Sequence, residues 1–137
     1  MKYLVIVLLL FAVLIGTRAK RAPSGKPKQA DYVTQAEIAT VARSTNEKVL
    51  LYFWKPNCPG CTTMGPIVDQ VAAEFPDIPI IKINTADEKN RPVHDEYRIH
   101  STPSFVILQN GKEVSRYERP FSDRKAYVSF LRPSKVY

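Results

Sequence analysis

Hydrophobic and polar positions along this chain follow two different periods. Residues 49–54, VLLYFW, are continuously apolar and aromatic, which predicts a strand buried on both faces. Beyond two cysteines, Met64, Ile67, Val68, Val71, Ala72 and Phe75 recur at steps of three and four, the spacing of an amphipathic helix. Pro66 lies inside that helix and is expected to kink it. IPIIKIN, residues 78–84, predicts a further strand, and a helix follows from about Asn90 to Tyr97. SFVILQ, residues 104–109, is strand-like, and Asn110-Gly111 is a two-residue hairpin turn. KEVSRYE then returns as an antiparallel edge strand. SDRKAYVSFLR, residues 122–132, predicts a last helix with Ser122 as N-cap and Tyr127, Val128 and Leu131 facing inward. Upstream, Val33, Ile38, Val41 and Ala42 fit a short first strand or turn and then a helix from about Thr34. The order, (β)αβαβαββα, is that of an α/β protein: a central mixed sheet of four to five strands with helices on both faces.

The N-terminus differs in kind. After Lys2 the run YLVIVLLLFAVLI, residues 3–15, carries no charge, proline or glycine, and Gly16, Thr17 and Arg18 follow. Such a block at an exposed terminus is a secretion or membrane signal. Tyr3 to Thr17 spans about 22 Å as helix, short of a hydrocarbon core of about 30 Å, and Thr17-Arg18-Ala19 is a small-x-small cleavage site. The basic residues beyond it, Arg18, Lys20, Arg21, Lys26 and Lys28, hinder translocation of that flank. The expectation is a single-pass N-terminal anchor that holds the protein to a membrane through residues 3–17. The alternative is a secreted or extracytoplasmic protein cleaved near Ala19. The chain thus divides into a signal or anchor segment (1–19), a basic linker (20–30) and a folded domain (31–137).

Composition changes this picture little. At 137 residues, with 45% apolar and 24% charged, the chain has material for one ordinary core. Much of the excess behind the net charge of +7 lies in the linker. No basic patch is interleaved with aromatics, so no nucleic-acid partner is expected.

The candidate chemistry is the stretch FWKPNCPGCTTMGP, residues 53–66, which holds both cysteines of the chain. Cys58 and Cys61 stand at a strand-to-helix junction. There the helix dipole and free N–H groups favour a thiolate on the first, and the second can attack a mixed disulfide one turn on. Cys58 is therefore expected to be the more reactive and more exposed thiol, with Cys61 under the first turn. Pro59 suits the first helical turn because its missing N–H is unpaired there anyway, and Gly60 gives the loop room. Two other readings stand beside the redox one. A structural zinc needs four ligands, of which the cysteines supply two, and His94 and His100 lack a ligand spacing; no metal is expected. A structural disulfide would close too small a loop to stabilise much through chain entropy.

These residues resemble the thioredoxin family, from about Asp31 to Arg132. VLLYFWKPNCPGC is similar to the family's strand and active-site segment, and Pro66 matches its helix proline. Thr102-Pro103 before SFVILQNGK resembles its cis-proline loop, strand and hairpin. The resemblance implies a thioredoxin fold and a thiol–disulfide oxidoreductase acting on protein disulfides or thiols with no bound cofactor, coupled to an unidentified electron donor or acceptor. It implies Cys58 as attacking thiolate and Cys61 as resolving thiol, joined as a redox-active disulfide. Pro103 would be cis beside the pair, with the Thr102 backbone pairing a substrate peptide and Trp54 walling the site; Pro59 and Gly60 complete the substrate-facing surface. The chain departs from the pattern in four places. Tyr52 stands where a buried Asp is usual, leaving Lys82 without that partner; Asn57 stands for Trp; the dipeptide is Pro-Gly; and Arg119 replaces a glycine. The departures support a second reading, a thioredoxin-fold partner-binding module with weak or vestigial redox activity. A third, glutathione-linked chemistry, follows from the Pro-first dipeptide.

Overall fold

The computed structural model describes residues 37, 38 and 48–133. The expected leader, linker and anchor lie outside those residues. Of the helix expected from Thr34, Glu37 and Ile38 are described; both are helical and Ile38 is buried.

Strand β1 (Lys48–Trp54) leads into helix α1 (Pro59–Glu74) and strand β2 (Ile80–Asn84). A 3-10 turn at Glu88–Asn90 runs into the short helix α2 (Arg91–Glu96). Strands β3 (Ser104–Gln109) and β4 (Lys112–Tyr117) form a hairpin, and helix α3 (Arg124–Leu131) follows. The four described strands lie in the order β2-β1-β3-β4, with β1 parallel to β2 and the other pairs antiparallel.

The central place of β1 explains its unbroken apolar sequence. Successive side chains point to opposite faces, and both faces are covered. Leu50 and Tyr52 join Met64, Val68 and Val71 of α1 and Tyr127 and Leu131 of α3. Val49, Leu51 and Phe53 join Ile83, Val93, Ile99 and Ile38 on the other side. Phe105 of β3 anchors the first core, stacked on Tyr52 at 5.1 Å between ring centres and tilted against Phe121 and Tyr127. The edge strand β4 carries its polar side chains outward, and Arg116 ties it to the end of α2 through the Tyr97 carbonyl at 2.7 Å.

Two boundaries and one burial differ from the sequence expectation. β2 begins at Ile80, because Ile78 is held in a turn by its N–H bond to the Phe75 carbonyl. The last helix is capped by Asp123, not Ser122: the Asp123 carboxylate accepts from the Ala126 N–H at 2.8 Å, and the Ser122 hydroxyl donates to that carboxylate. Both residues are good caps, and the one whose oxygen reaches the third amide of the helix takes the role. In α3, Tyr127 and Leu131 are buried as expected, whereas Val128 is half-buried. The hairpin turn follows expectation, with positive φ at Asn110 (52°) and Gly111 (75°), the geometry that suits the twist of the flanking strands. Helix α1 runs on through Pro66 to Glu74.

Candidate active site

Trp54 ends β1, and the turn at 55–57 hands the chain to α1. Asn57 sits in the left-handed region at φ 57°, which Asn tolerates better than most residues. Cys58 is the N-cap of α1: extended backbone, with its Sγ accepting from the Cys61 N–H at 3.2 Å. Pro59 takes the first helical position, where no N–H is required. The Thr62 N–H donates to the Cys58 carbonyl at 3.0 Å, closing the first turn. Within that turn Cys58 and Cys61 form a disulfide, with Cα atoms 5.2 Å apart.

The second wall comes from the loop before β3. The Thr102–Pro103 peptide bond is cis and Pro103 is buried. The Thr102 hydroxyl lies 3.5 Å from Cys58 Sγ as donor, and the Thr102 carbonyl oxygen lies 3.3 Å from the same sulfur. Ser104, fully buried, donates to the Ser101 carbonyl at 2.7 Å, and the Ser101 hydroxyl donates to the Glu118 carbonyl at 3.0 Å. These bonds pin the loop between the start of β3 and the end of β4. Gly60 fits against it so tightly that a Cβ there would stand 2.9 Å from Pro103 Cδ and 3.2 Å from Pro120 Cγ.

The structure therefore gathers Cys58, Cys61, Gly60, Thr102 and Pro103 at one place. Trp54 is partly buried and lines a cleft together with Cys61. Pro59 is exposed on the first turn. The expected contrast in exposure between the thiols is absent: Cys58 is 5% and Cys61 6% exposed. The cis-proline loop covers the first sulfur as fully as the helix covers the second. What separates them is polarity, since the Cys61 N–H, the Thr102 hydroxyl and the N-terminal end of α1 all face Cys58 Sγ, and the first turn of α1 holds no acid.

Under Cys61, Tyr52 is 1% exposed, and burial, with the charge of Asp69 adding, pushes its phenol up to about 12. Lys82 is not without an acid. Its ammonium donates to Asp69 Oδ1 at 2.7 Å, so helix α1 supplies the carboxylate that β1 lacks. Sequence reasoning missed this pair, and missed Pro120 against Gly60. The available signal for the first was an inward lysine on β2 opposite a helix that carries one acid in its middle turns. No cluster of three or more metal-ligating side chains occurs among the described residues, and none of their helices is long and apolar enough to cross a membrane.

Comparison with known proteins agrees with this architecture. The thioredoxin family profile matches residues 29–132. Thioredoxin from Pyropia yezoensis is 37% identical over 83 residues, which cover 60% of this chain and 76% of that protein. Thioredoxin 1 from Synechococcus elongatus is 32% identical over 83 residues with the same coverage. Among solved structures, a mutant thioredoxin from Halobacterium salinarum superposes with a TM-score of 0.64 at 22% identity, covering 73% of this chain and 84% of that one. Fasciola hepatica thioredoxin gives 0.62 at 21% identity, covering 70% and 89%. At these identities the structural matches speak for the fold.

Proposed function

This chain belongs to the thioredoxin family, and on that footing we propose that Cys58 and Cys61 are the working pair of the thiol–disulfide oxidoreductase it forms. Its substrates are protein thiols and disulfides. In the reducing direction, the Cys58 thiolate attacks a substrate disulfide, and one substrate sulfur leaves as thiolate. The sulfur of Cys61 then attacks Cys58 Sγ, releasing the second substrate thiol and closing the Cys58–Cys61 disulfide. Two electrons pass to the substrate, and a reductant restores the dithiol. Cys58 is suited to attack by the N–H and hydroxyl groups aimed at its sulfur. The Thr102 backbone at the cis-proline loop would seat an extended substrate segment, with Trp54, Pro59 and Gly60 facing it. The observation that carries this reading is the Cys58 sulfur held between the start of α1 and Thr102 while bonded to Cys61.

The test is reduction of insulin disulfides with dithiothreitol as electron source, wild type against Cys58→Ser, together with trapping by Cys61→Ser. Wild type should accelerate reduction, Cys58→Ser should not, and Cys61→Ser should accumulate disulfide-linked protein partners. Activity that survives in Cys58→Ser would overturn the assignment. Acceleration with glutathione, and none with dithiothreitol, would favour glutathione-linked chemistry; partner binding with no thiol dependence would favour the binding-module reading.

We also propose that residues 3–17 tether the domain to a membrane, with residues 18–28 as spacer. The support is their unbroken apolar sequence and the basic flank behind it. The full-length protein should stay in the membrane pellet after carbonate washing. A soluble native form starting at Lys20 would show cleavage instead.

A further inference from the structure

The disulfide lies at the edge of the sheet where β1 and β4 end and β3 begins, and that edge carries a cation fixed in place. β1 and β4 run the same way because each is antiparallel to β3. Phe105 pairs with Tyr117 in the β3–β4 register, so two residues further along each segment Arg119 comes opposite Pro103 of the cis-proline loop. Both neighbours of Arg119 are held against the site. The Glu118 carbonyl accepts from the Ser101 hydroxyl at 3.0 Å, and Pro120 Cγ would stand 3.2 Å from a Cβ on Gly60. The Thr102 carbonyl oxygen is 3.3 Å from Cys58 Sγ, and paired strands lie about 4.8 Å apart, so the Arg119 backbone is within about 12 Å of the attacking sulfur.

The Arg119 side chain is exposed, yet it is held. Its Nε–H donates to the Tyr117 hydroxyl at 3.2 Å, and its Cζ sits 5.3 Å from the centre of the Tyr117 ring. Tyr117 is in turn stacked on Phe121 at 4.2 Å between ring centres. An arginine resting on an aromatic ring gives up little further rotamer freedom when it binds, and its terminal amino groups keep the fork that matches a carboxylate. Among the described residues no carboxylate pairs with it. Its neighbour Glu118 is taken by Arg116 at 2.9 Å. Pro59, Ser101, Thr102 and Pro120, around the disulfide, carry no charge, and the first turn of α1 holds no acid.

We propose that Arg119 selects protein disulfides that carry an aspartate or glutamate close to the reacting cysteine, by pairing its guanidinium with that carboxylate while the substrate segment lies along Thr102. This rests on the disulfide-exchange reading above and adds to it the chemical class of the substrate. An extended segment advances about 3.3 Å per residue, so the carboxylate belongs within about four residues of the cysteine, on the flank that passes over the end of β4. The pair forms at an exposed rim, so it governs the choice among substrates and leaves the exchange at sulfur as described.

The test uses the reduced full-length protein in excess over synthetic peptide disulfides whose two halves carry a fluorophore and a quencher, so that reduction in a single turnover is read as fluorescence. One peptide has a glutamate three residues before the cysteine, one has it three residues after, and one has glutamine at both places. Wild type should reduce one of the glutamate peptides about fivefold faster than the glutamine peptide, and the other at nearly the glutamine rate. The advantage should shrink as salt is raised. It should vanish in Arg119→Gln, persist in part in Arg119→Lys and invert in Arg119→Glu. Each comparison is a ratio of rates within one variant, so any change in the reactivity of its cysteines or in its folded fraction cancels. An advantage that is equal on both flanks, or that survives in Arg119→Gln, comes from the net positive charge of the chain and overturns the proposal, as does a wild type that reduces all three peptides alike. A wild type that reduces none of them overturns the disulfide-exchange reading and the proposal with it.

Discussion

Two glycines in α1 should respond to alanine with opposite signs. Away from contacts, Gly→Ala within a helix stabilises by about 0.5–1 kcal/mol, because alanine loses less backbone freedom on folding. At Gly65 a Cβ meets nothing within 4 Å, so Gly65→Ala should realise that gain and raise Tm by roughly 2–8 °C for a domain of this size. At Gly60 the new Cβ would stand 2.9 Å from Pro103 Cδ and 3.2 Å from Pro120 Cγ. Ordinary carbon contacts are about 3.5–4.0 Å, so roughly 0.6–1 Å must be found. Pro103 Cδ cannot yield as a flexible side-chain end would: the ring bonds it to the residue's own backbone nitrogen, and that loop is tied down through Ser104 and Ser101. Overpacking of this kind costs about 1–3 kcal/mol, which outweighs the helical gain and leaves Gly60→Ala destabilised by about 1–2 kcal/mol. Tm should fall by roughly 5–10 °C. Disulfide exchange should fall about tenfold or more, because displacing the loop moves Thr102 off the Cys58 sulfur. Thermal melting by circular dichroism and the insulin assay read the two effects. A Gly60→Ala protein that melts at or above wild type with full activity would refute the reasoning, as would a Gly65→Ala protein that melts lower.

In the reduced protein, iodoacetamide at neutral pH should alkylate Cys58 well before Cys61, since equal burial leaves the hydrogen bonds and helix N-terminus at Cys58 to decide; preferential labelling of Cys61 contradicts the role assignment. The pH dependence of stability should carry the mark of Tyr52. Its folded pKa is raised from 10.0 to about 12, so its contribution is fully present below pH 10 and is lost as pH climbs toward 12, at about 1.4 kcal/mol per pH unit. Tyr52→Phe should flatten alkaline unfolding in that window, and an unchanged urea midpoint profile between pH 9 and 12 would count against it. Arg116→Ala should cost about 1–2 kcal/mol, because the Tyr97 carbonyl, Glu113 and Glu118 lose their shared donor; a urea midpoint within error of wild type would show the cluster to be energetically idle.

What the sequence determined by itself is what short-range physics can express. VLLYFW is a doubly buried strand because no polar residue interrupts it. Residues 64–75 are an amphipathic helix because their apolar positions keep the helical period, and Asn110-Gly111 is a hairpin turn because both residues accept positive φ. The proximity of the two cysteines was legible for the same reason, since Cys-x-x-Cys at a helix start brings both sulfurs onto one turn, where the structure joins them as a disulfide. The cis-proline loop was legible only through its resemblance to a family. Other features required the chain to be folded back on itself. Asp69 and Lys82 lie thirteen residues apart on different elements, and neither carries a local sign that it will meet the other. Cys58 and Cys61 are equally buried because a loop 44 residues downstream covers the first, a contact that no helix-end argument contains. Ser122 and Asp123 compete for one cap, and the path of the chain between β4 and α3 decides between them. Gly60 and Gly65 look alike in a helical pattern, yet Pro103 and Pro120 crowd one and nothing crowds the other. Period and propensity act over a few residues, whereas exclusion of volume and pairing of charge depend on which distant segments arrive at the same point.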